Sequence, residues 1–341
     1  MNETAAHPGR LLAISGGYWQ ACALHAAVKV DIFSAIEAGA SSAAAVADKL
    51  GTDPRATAML LGALAAMGLT VKDGDTFCNS EESRRFLVRS SPDYVGYMVR
   101  HHHHLVAGWN RLDEAVRSGR PVRTGASFED PDVRYNFLMG MFNLASMLAP
   151  QVAQRVDLAG RRRLLDLGGG PGTYAIHFCR HYESMAAVVF DRPETRPVAE
   201  EIIARFGLER RIRFQAGDYR HGPLPDGFDV VWVSHILHAE NPSTCSRLMD
   251  AILAALKPGG MVLIHDFLLD ENLDGPLFPA LFSLNMLQGT EGGQAYSRGQ
   301  IEAMLTTAGF CDVTAVELES PNDSGIVAAF KLKRQASGLP L

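Results

Sequence analysis

The chain has 341 residues, 47% of them hydrophobic and 21% charged, with a formal net charge of −6 and a pI near 6.1. That length allows two domains with sizeable cores. The acidic balance gives no general attraction to nucleic-acid phosphates or an anionic membrane, and no apolar run approaches the roughly 20 residues of a membrane span.

Five cysteines (22, 78, 179, 245 and 311) lie far apart without a CxxC pair, so their spacing suggests neither a disulfide framework nor a zinc knuckle. They are expected to be buried thiols in a reducing compartment. The first residues carry no basic segment followed by an apolar stretch, so the expected location is the cytoplasm.

Apolar residues recur at helical spacing from Ile14 to Glu37, which predicts one helix with an extensive apolar surface. A short helix follows over "SSAAAVADKLG", with a serine N-cap and Gly51 as its stop. Another follows over "DPRATAMLLGALAAMGL", with Asp53 as cap and Pro54 in the first helical position. "TVKDGDTFCNS" predicts two strands around an Asp-Gly turn.

Helix, short helix, helix and hairpin is the order of a winged helix, a DNA-binding unit in many settings. Between Ser41 and Ser90, six basic residues are balanced by six acidic ones, and the presumed recognition helix is rich in Ala, Leu and Met. Such a surface suits burial against protein better than a major groove. The expected partner of residues 1–95 is therefore a second copy of the chain, with no nucleic acid.

Residues 92–160 are expected to be largely helical, with "GWNRLDEAVRSGRP" and "RYNFLMGMFNLASMLAPQVAQRV" as the main elements. After Arg163 apolar strands alternate with helices through "RLLDLGGG", "AAVVFDRP", "IRFQAGD", "FDVVWVSHIL", "GGMVLIHDFLL", "VTAVELE" and "GIVAAFKLK". This predicts an α/β domain with a mostly parallel, seven-stranded sheet. The expected division is 1–95, a helical connector over 96–158 and an α/β domain over 159–336, with Gln335 to Leu341 as a frayed tail.

The turn "LLDLGGGPGTY" lies at the carboxyl end of the first of these strands, where open α/β sheets bind ligands. A dinucleotide fingerprint starting at Gly168 would need glycine where Thr173 stands, and a P-loop would need a lysine that the turn lacks. The pattern present is D-x-G-x-G-x-G, formed by Asp166, Gly168, Gly170 and Gly172. Nineteen residues after Gly172 a second strand ends in Asp191, placed to accept hydrogen bonds from ribose hydroxyls. A third ends in "GDY", so Asp218 and Tyr219 offer an adenine ring a polar partner and an aromatic face. The ligand expected is a nucleoside without a pyrophosphate.

With the glycine loop, Asp191, "GDY", "HILH" and "LKPGGMVLIHDF" in this order, Leu164 to Phe310 resembles class I S-adenosylmethionine-dependent methyltransferases. The whole chain resembles the dimeric small-molecule O-methyltransferases, such as the plant phenolic and acetylserotonin types. The resemblance implies a winged-helix dimerisation domain joined to a Rossmann-like catalytic domain. It implies S-adenosyl-L-methionine as cofactor and S-adenosyl-L-homocysteine as product. Gly168 and Gly170 would approach the methionine part, Asp191 the ribose, Arg192 the adenine from beside it, and Asp218 with Tyr219 its edge and face. Ser234 stands where several relatives place a lysine near the cofactor.

A phenol or enol titrates near pH 10, so an imidazole within hydrogen-bond reach can take the acceptor's proton as the transition state forms, contributing roughly 10²–10⁴-fold. "SHILHAENPSTC" supplies His235 and His238. The resemblance places the base at His238, and His235 would pack or bond to backbone. Asp266 stands at the position of the first of two orienting glutamates in plant relatives. The second falls at Ala295, with Glu240 and Glu291 as candidate replacements.

The helix holding Phe137, Met141 and Phe142 and the stretch holding Phe282, Asn285 and Met286 occupy positions resembling those that sandwich aromatic acceptors. Side chains of this kind at helical spacing also suit plain core. The run His101 to His104, where only His101 and His104 share a helix face, completes no metal-ligand set in the sequence. It offers a pocket-lining alternative near Trp109, since the resembling enzymes carry a His-Leu-x-x-x-Trp pattern there. The activity expected is metal-independent O-methylation of a small aromatic or polycyclic acceptor. The missing second glutamate keeps open C-methylation of an aromatic or tetrapyrrole-like ring, and a relative that binds S-adenosylmethionine without methylating.

Overall fold

The computed structural model describes residues 8–123, 129–320 and 322–333; the expected tail from Gln335 lies outside them. The chain divides into two units at Val106/Ala107. The first contains α1 (Gly9–Gly16), α2 (Tyr18–Val30), α3 (Ile32–Glu37), α4 (Ala43–Leu50), α5 (Pro54–Ala66), β1 (Thr70–Asp73), β2 (Thr76–Asn79) and α6 (Glu81–Phe86), followed by most of α7 (Gly96–Trp109).

The helix expected to run unbroken from Ile14 to Glu37 is instead three helices. Gly17 separates the first two, and Asp31 ends α2 in the left-handed region at φ 67°, a conformation that Asp tolerates better than most residues. The starts and stops read from side-chain chemistry hold. Ser42 Oγ accepts from the Ala45 N–H, Gly51 ends α4 at φ 65°, and Asp53 accepts from the Ala56 N–H ahead of Pro54.

In the hairpin Asp73 pairs with Thr76, which makes Gly74 and Asp75 the turn residues, one position later than an Asp-Gly turn. Ile32, Phe33, Val46, Leu61 and Leu64 form the centre of this unit's core. Leu11, Leu12, Ile14, Tyr18 and Trp19 of α1 and α2 are 62–69% exposed. Cys22 and Cys78 are also exposed, so the expectation of buried thiols holds for Cys179 and Cys245 only, with Cys311 intermediate.

The second unit opens with α8 (Leu112–Ser118) and α9 (Pro131–Arg155). "GWNRLDEAVRSGRP" therefore breaks between Trp109 and Leu112, and Gly119 closes α8 at φ 64°. The sheet domain then runs β3 (Arg163–Leu167), α10 (Thr173–His181), β4 (Ala186–Asp191), α11 (Arg196–Arg205), β5 (Ile212–Ala216), β6 (Phe228–Ser234), α12 (Pro242–Ala255), β7 (Leu256–Leu269), α13 (Leu277–Gly289), β8 (Tyr296–Ser297), α14 (Arg298–Thr307), β9 (Cys311–Val316) and β10 (Ser324–Phe330).

Seven strands lie in the order β5-β4-β3-β6-β7-β10-β9, and the two-residue β8 pairs with β7 as an eighth. β5, β4, β3, β6 and β7 are mutually parallel, whereas β10 is antiparallel to β7 and β9. Strands covered on both faces need near-continuous apolar sequence. Accordingly Leu164, Leu165, Val230, Val231, Trp232, Val233, Val262 and Leu263 are fully buried.

The chain runs from β3 outward through β4 and β5, then crosses to β6 on the other side of β3. Strand order reverses there, and a crevice opens at the carboxyl ends of β3, β4 and β6.

Candidate functional site

The glycine turn leaves β3 under backbone constraints that explain its composition. Gly168, Gly170 and Gly172 have φ of 64°, 54° and 78°, values that a side chain would strain. A Cβ on Gly169 would come within 2.6 Å of Asp166 Cγ, because the Asp166 carboxylate lies directly beneath the turn.

Asp166 is 1% exposed, and its Oδ2 accepts from the Ala175 N–H in the first turn of α10. Gly172, at the N-cap position, has no side chain to perform that duty, so an aspartate from the preceding strand does it. Burial pushes the Asp166 carboxyl up to about 7, against the opposing pull of the Ala175 N–H. At Gly170, in contrast, an added Cβ would meet only Leu138 Cδ2 at 3.9 Å, so this part of the loop presents bare backbone to open space.

Asp191, at the end of β4, accepts the Gly170 N–H on Oδ2 at 2.7 Å. Its Oδ1 accepts from the Arg192 N–H at 2.6 Å and from Thr195 Oγ1 at 3.3 Å. Burial raises its pKa, opposed by these donors. Gly170 is thus bonded directly to Asp191, while the Gly168 N–H donates to the carbonyl of Phe190, the residue before Asp191. Arg192 follows, half-exposed and paired with Glu194 at 3.5 Å.

Beyond β5, Asp218 holds the Arg220 N–H and the His221 ring, while Tyr219 Oη donates to Glu240 Oε1 at 2.8 Å. Arg220 Nε also donates to Glu240, at 2.6 Å. Glu240 is 6% exposed, and both of these bonds fall on its Oε1. Glu291 is exposed. Ala295 is buried, with its N–H donating to Ser283 Oγ.

β6 ends at Ser234, whose hydroxyl is hydrogen-bonded to His265 Nδ1 at 2.9 Å; His265 Nε2 meets Ser324 Oγ at 3.0 Å. Burial lowers the His265 pKa well below the ordinary imidazole value and keeps the ring neutral. Ser234 is thus tied into the sheet, a contact that a lysine there would not reproduce.

The chain then turns sharply. His235 has φ 57°, donates its N–H to the His265 carbonyl and leads into a single 3₁₀ turn over Leu237–Ala239. This turn aims His238 back at β7, where its Nδ1 meets Asp266 Oδ1 at 2.6 Å. Asp266 also accepts the His238 N–H on Oδ2 and the Phe267 N–H on Oδ1. Burial alone would raise the Asp266 pKa, but the hydrogen bond from His238 and the His235 imidazole beside it outweigh it and hold the carboxyl well below its usual range. An ionised Asp266 can only accept, so His238 Nδ1 carries a proton, and in the neutral ring this leaves the lone pair on Nε2.

Aromatic rings surround this pair. Phe282 meets His238 edge-on at 4.8 Å, Phe267 lies nearly parallel to it at 5.8 Å, and Phe278 packs against Phe267 at 5.0 Å. Phe282 was expected here. Phe267 and Phe278 were missed, although Phe267 directly follows Asp266 in "HDFLL".

Asn285 and Met286, one turn further along α13, are both buried, and Asn285 Oδ1 accepts from Arg123 Nη2 at 3.0 Å. Phe137 and Met141 are half-buried on α9, on either side of Leu138, which adjoins Gly170. Phe142 turns elsewhere and meets Phe206 at 6.3 Å. In the histidine run, His103 Nε2 is 2.9 Å from Lys29 Nζ, and its ring lies 5.7 Å from that of His25. Among the described residues the run forms no set of three metal-ligating groups.

Two family models, curated relatives and solved structures match the chain. A family model described as the O-methyltransferase domain matches residues 109–311, and one described as the O-methyltransferase dimerisation domain matches residues 12–89. The chain is 35% identical over 330 residues to 3-hydroxy-5-methyl-1-naphthoate 3-O-methyltransferase of Streptomyces sahachiroi, covering 95% of each. It is 32% identical over 326 residues to the tetracenomycin polyketide synthesis 8-O-methyl transferase TcmO of Streptomyces glaucescens, covering 94% of this chain and 96% of that one. The solved structure of human N-acetylserotonin methyltransferase in complex with SAM is similar with a TM-score of 0.87 and 29% identity, over 98% of this chain and 100% of the other.

Proposed function

The chain belongs to the O-methyltransferase family, and we propose that within it His238 is the general base, held by Asp266, for methylation of a hydroxyl on an aromatic or polycyclic acceptor. The protein is an S-adenosylmethionine-dependent methyltransferase with an α/β catalytic domain and a dimerisation domain. The single observation that carries the proposal is the 2.6 Å contact between His238 Nδ1 and Asp266 within a wall of phenylalanine rings.

The residues present suit the cofactor. Positive-φ glycines expose backbone to open space at Gly170, carboxylates occur at the ends of β4 and β5, and the turn has no lysine for a phosphate. In this reading Gly168 and Gly170 approach the methionine portion, Asp191 the ribose, and Asp218, Tyr219 and Arg192 surround the adenine. Asp166 and Ser234 act from beneath, Asp166 by bracing the turn and Ser234 through His265. When bound, S-adenosylmethionine supplies an electrophilic methyl on a sulfonium, a leaving group that needs no activation by the protein.

What the chain must add is position, dryness and a proton acceptor. Phe267, Phe278 and Phe282 exclude water around His238, and together with Met286, Phe137 and Met141 they suit a flat ring. Asn285, tied to Arg123, offers a polar edge. His238 Nε2 accepts the hydroxyl proton as the acceptor oxygen gains charge, and the imidazolium so formed is stabilised by ionised Asp266. The relatives named for naphthoate and tetracenomycin substrates support a fused-ring acceptor.

The exposed apolar face of α1 and α2 supports homodimerisation through the N-terminal unit. Five free thiols suit a reducing cytoplasm. No helix among the described residues is long and apolar enough to cross a membrane.

The test is methyl transfer to a panel of hydroxynaphthoates and phenols, followed by mass spectrometry. Wild type should add one methyl to oxygen. His238→Ala should lose roughly 10²–10⁴-fold in kcat while binding S-adenosylhomocysteine as tightly as before. An undiminished His238→Ala rate refutes the proposal, and a methyl found on ring carbon favours C-methylation.

A further inference from the structure

His235 is left without a function by the account above, yet its geometry is costly. It adopts φ 57°, and its Nδ1 is buried without a hydrogen-bond partner, 3.6 Å from Asp266 Oδ1. Strained backbone and orphaned buried polar atoms persist where surrounding structure enforces them, and they cluster at ligand sites.

Here the same turn places His235 and His238 three residues apart, and both Nδ1 atoms face one carboxylate. One ring nitrogen of each histidine and an Asp266 oxygen all lie within 4.8 Å of one another, and the two Nδ1 atoms lie 3.6 and 2.6 Å from Asp266 Oδ1. We propose that His235, His238 and Asp266 form a site for a borderline divalent cation such as Zn²⁺ or Co²⁺, and that the bound ion switches methyl transfer off.

The ligand chemistry selects the class of ion. Two imidazoles and one carboxylate suit Zn²⁺, Co²⁺ or Ni²⁺ and discriminate against Mg²⁺ and Ca²⁺, which take mainly oxygen. With Zn–N and Zn–O bonds of roughly 2.0–2.2 Å, ligand atoms around a tetrahedral ion stand about 3.3 Å apart. The 3.6 Å separation of His235 from Asp266 already fits, and the 2.6 Å contact of His238 with Asp266 widens by less than about an ångström. His235 has 27% of its side chain exposed and provides the approach, while His238 and Asp266 at 10% and 3% form the floor.

Inhibition follows from the tautomer, and this step rests on His238 being the base. A neutral imidazole carries one proton. Without metal that proton is on Nδ1, donated to Asp266, and Nε2 holds the lone pair. An ion bound through the Nδ1 lone pair requires the proton to move to Nε2, with no net gain or loss, and Nε2–H cannot accept a proton from the acceptor hydroxyl. The carboxylate that poises the base thus becomes a ligand of the ion that disables it.

Full-length protein, stripped with a chelator, is titrated with Co²⁺ while visible absorption and methyl transfer are recorded in parallel. The expected result is one visible band saturating at one ion per chain, loss of activity over the same range, and recovery on adding EDTA. His235→Asn, chosen because Asn tolerates positive φ, should weaken cobalt binding at least about 100-fold, since even an outer partner of a metal ligand is worth about 10–100-fold. S-adenosylhomocysteine affinity, measured on the same sample, shows that the variant is folded.

The metal site is overturned if no stoichiometric cobalt band appears, if folded His235→Asn binds cobalt as wild type does, or if the spectrum shows thiolate charge transfer from exposed Cys22 or Cys78. A band that depends on His235 with methyl transfer undiminished instead refutes His238 as the base and leaves the site standing.

Discussion

Asp266→Asn separates two roles that the carboxylate could have, orienting His238 and stabilising its charge. Asp266 Oδ1 accepts from both the Phe267 N–H at 2.9 Å and His238 Nδ1, while Oδ2 faces the His238 N–H at a longer 3.3 Å. An asparagine with its carbonyl in the Oδ1 position keeps the two short bonds and places its NH₂ against the weakest donor. The reverse orientation sets NH₂ against the Phe267 N–H and loses that bond. The amide should therefore leave the Nδ1–H tautomer intact and remove the charge together with the longest of the three bonds.

Charge-assisted hydrogen bonds contribute about 1.5–3 kcal/mol and neutral ones about 0.5–1.5 kcal/mol, so the transition state should lose about 1–2 kcal/mol. This is about a 5–30-fold drop in kcat. Asp266→Ala removes the orienting acceptor as well and should approach the His238→Ala rate. Single-turnover methyl transfer, with S-adenosylhomocysteine affinity as control, measures all three variants. Equal rates for Asp266→Asn and His238→Ala would mean that the amide turns over and reverses the tautomer, which refutes this reasoning; an unchanged Asp266→Asn rate would remove Asp266 from the mechanism altogether.

Stability should depend on pH through Asp166, whose folded pKa of about 7 lies above its ordinary 3.8. The stabilisation is fully present below about pH 4 and is lost as pH rises through about 7, reaching about 4 kcal/mol. Asp166→Asn should flatten the fall in Tm between pH 5 and 8.5 in thermal unfolding scans, and an equally steep curve in the variant would contradict this. Asp266, with its lowered pKa, acts in the opposite sense: its contribution is present above about pH 4 and disappears on acidification. Gly169→Ala brings a Cβ to 2.6 Å from Asp166 Cγ and should cost about 1–3 kcal/mol in denaturant unfolding. Gly170→Ala should leave the fold largely intact, apart from about 1–2 kcal/mol of left-handed strain, and weaken S-adenosylhomocysteine binding in calorimetry. Trp19→Glu on the apolar face of α2, 69% exposed in the single chain, should shift sedimentation from dimer to monomer.

Local chemistry was sufficient wherever a residue acts on its own neighbourhood. Ser42, Gly51, Asp53 and Pro54 mark helix ends because capping and φ preference involve only the adjacent turn, and apolar runs such as "VVWV" mark buried strands for the same reason. Likewise the glycine turn, Asp191 and His238 were legible, since motif spacing along one chain reflects strand ends that must face one crevice. Three-dimensional packing decided the partners. Glu240 goes to Tyr219 and Arg220 rather than to the base, Phe142 turns to Phe206, and His235 Nδ1 lies beside the carboxylate that serves His238. Those outcomes depend on contacts between residues from 20 to 64 positions apart, and side-chain direction across such separations is set by how elements dock, a quantity that no local pattern encodes.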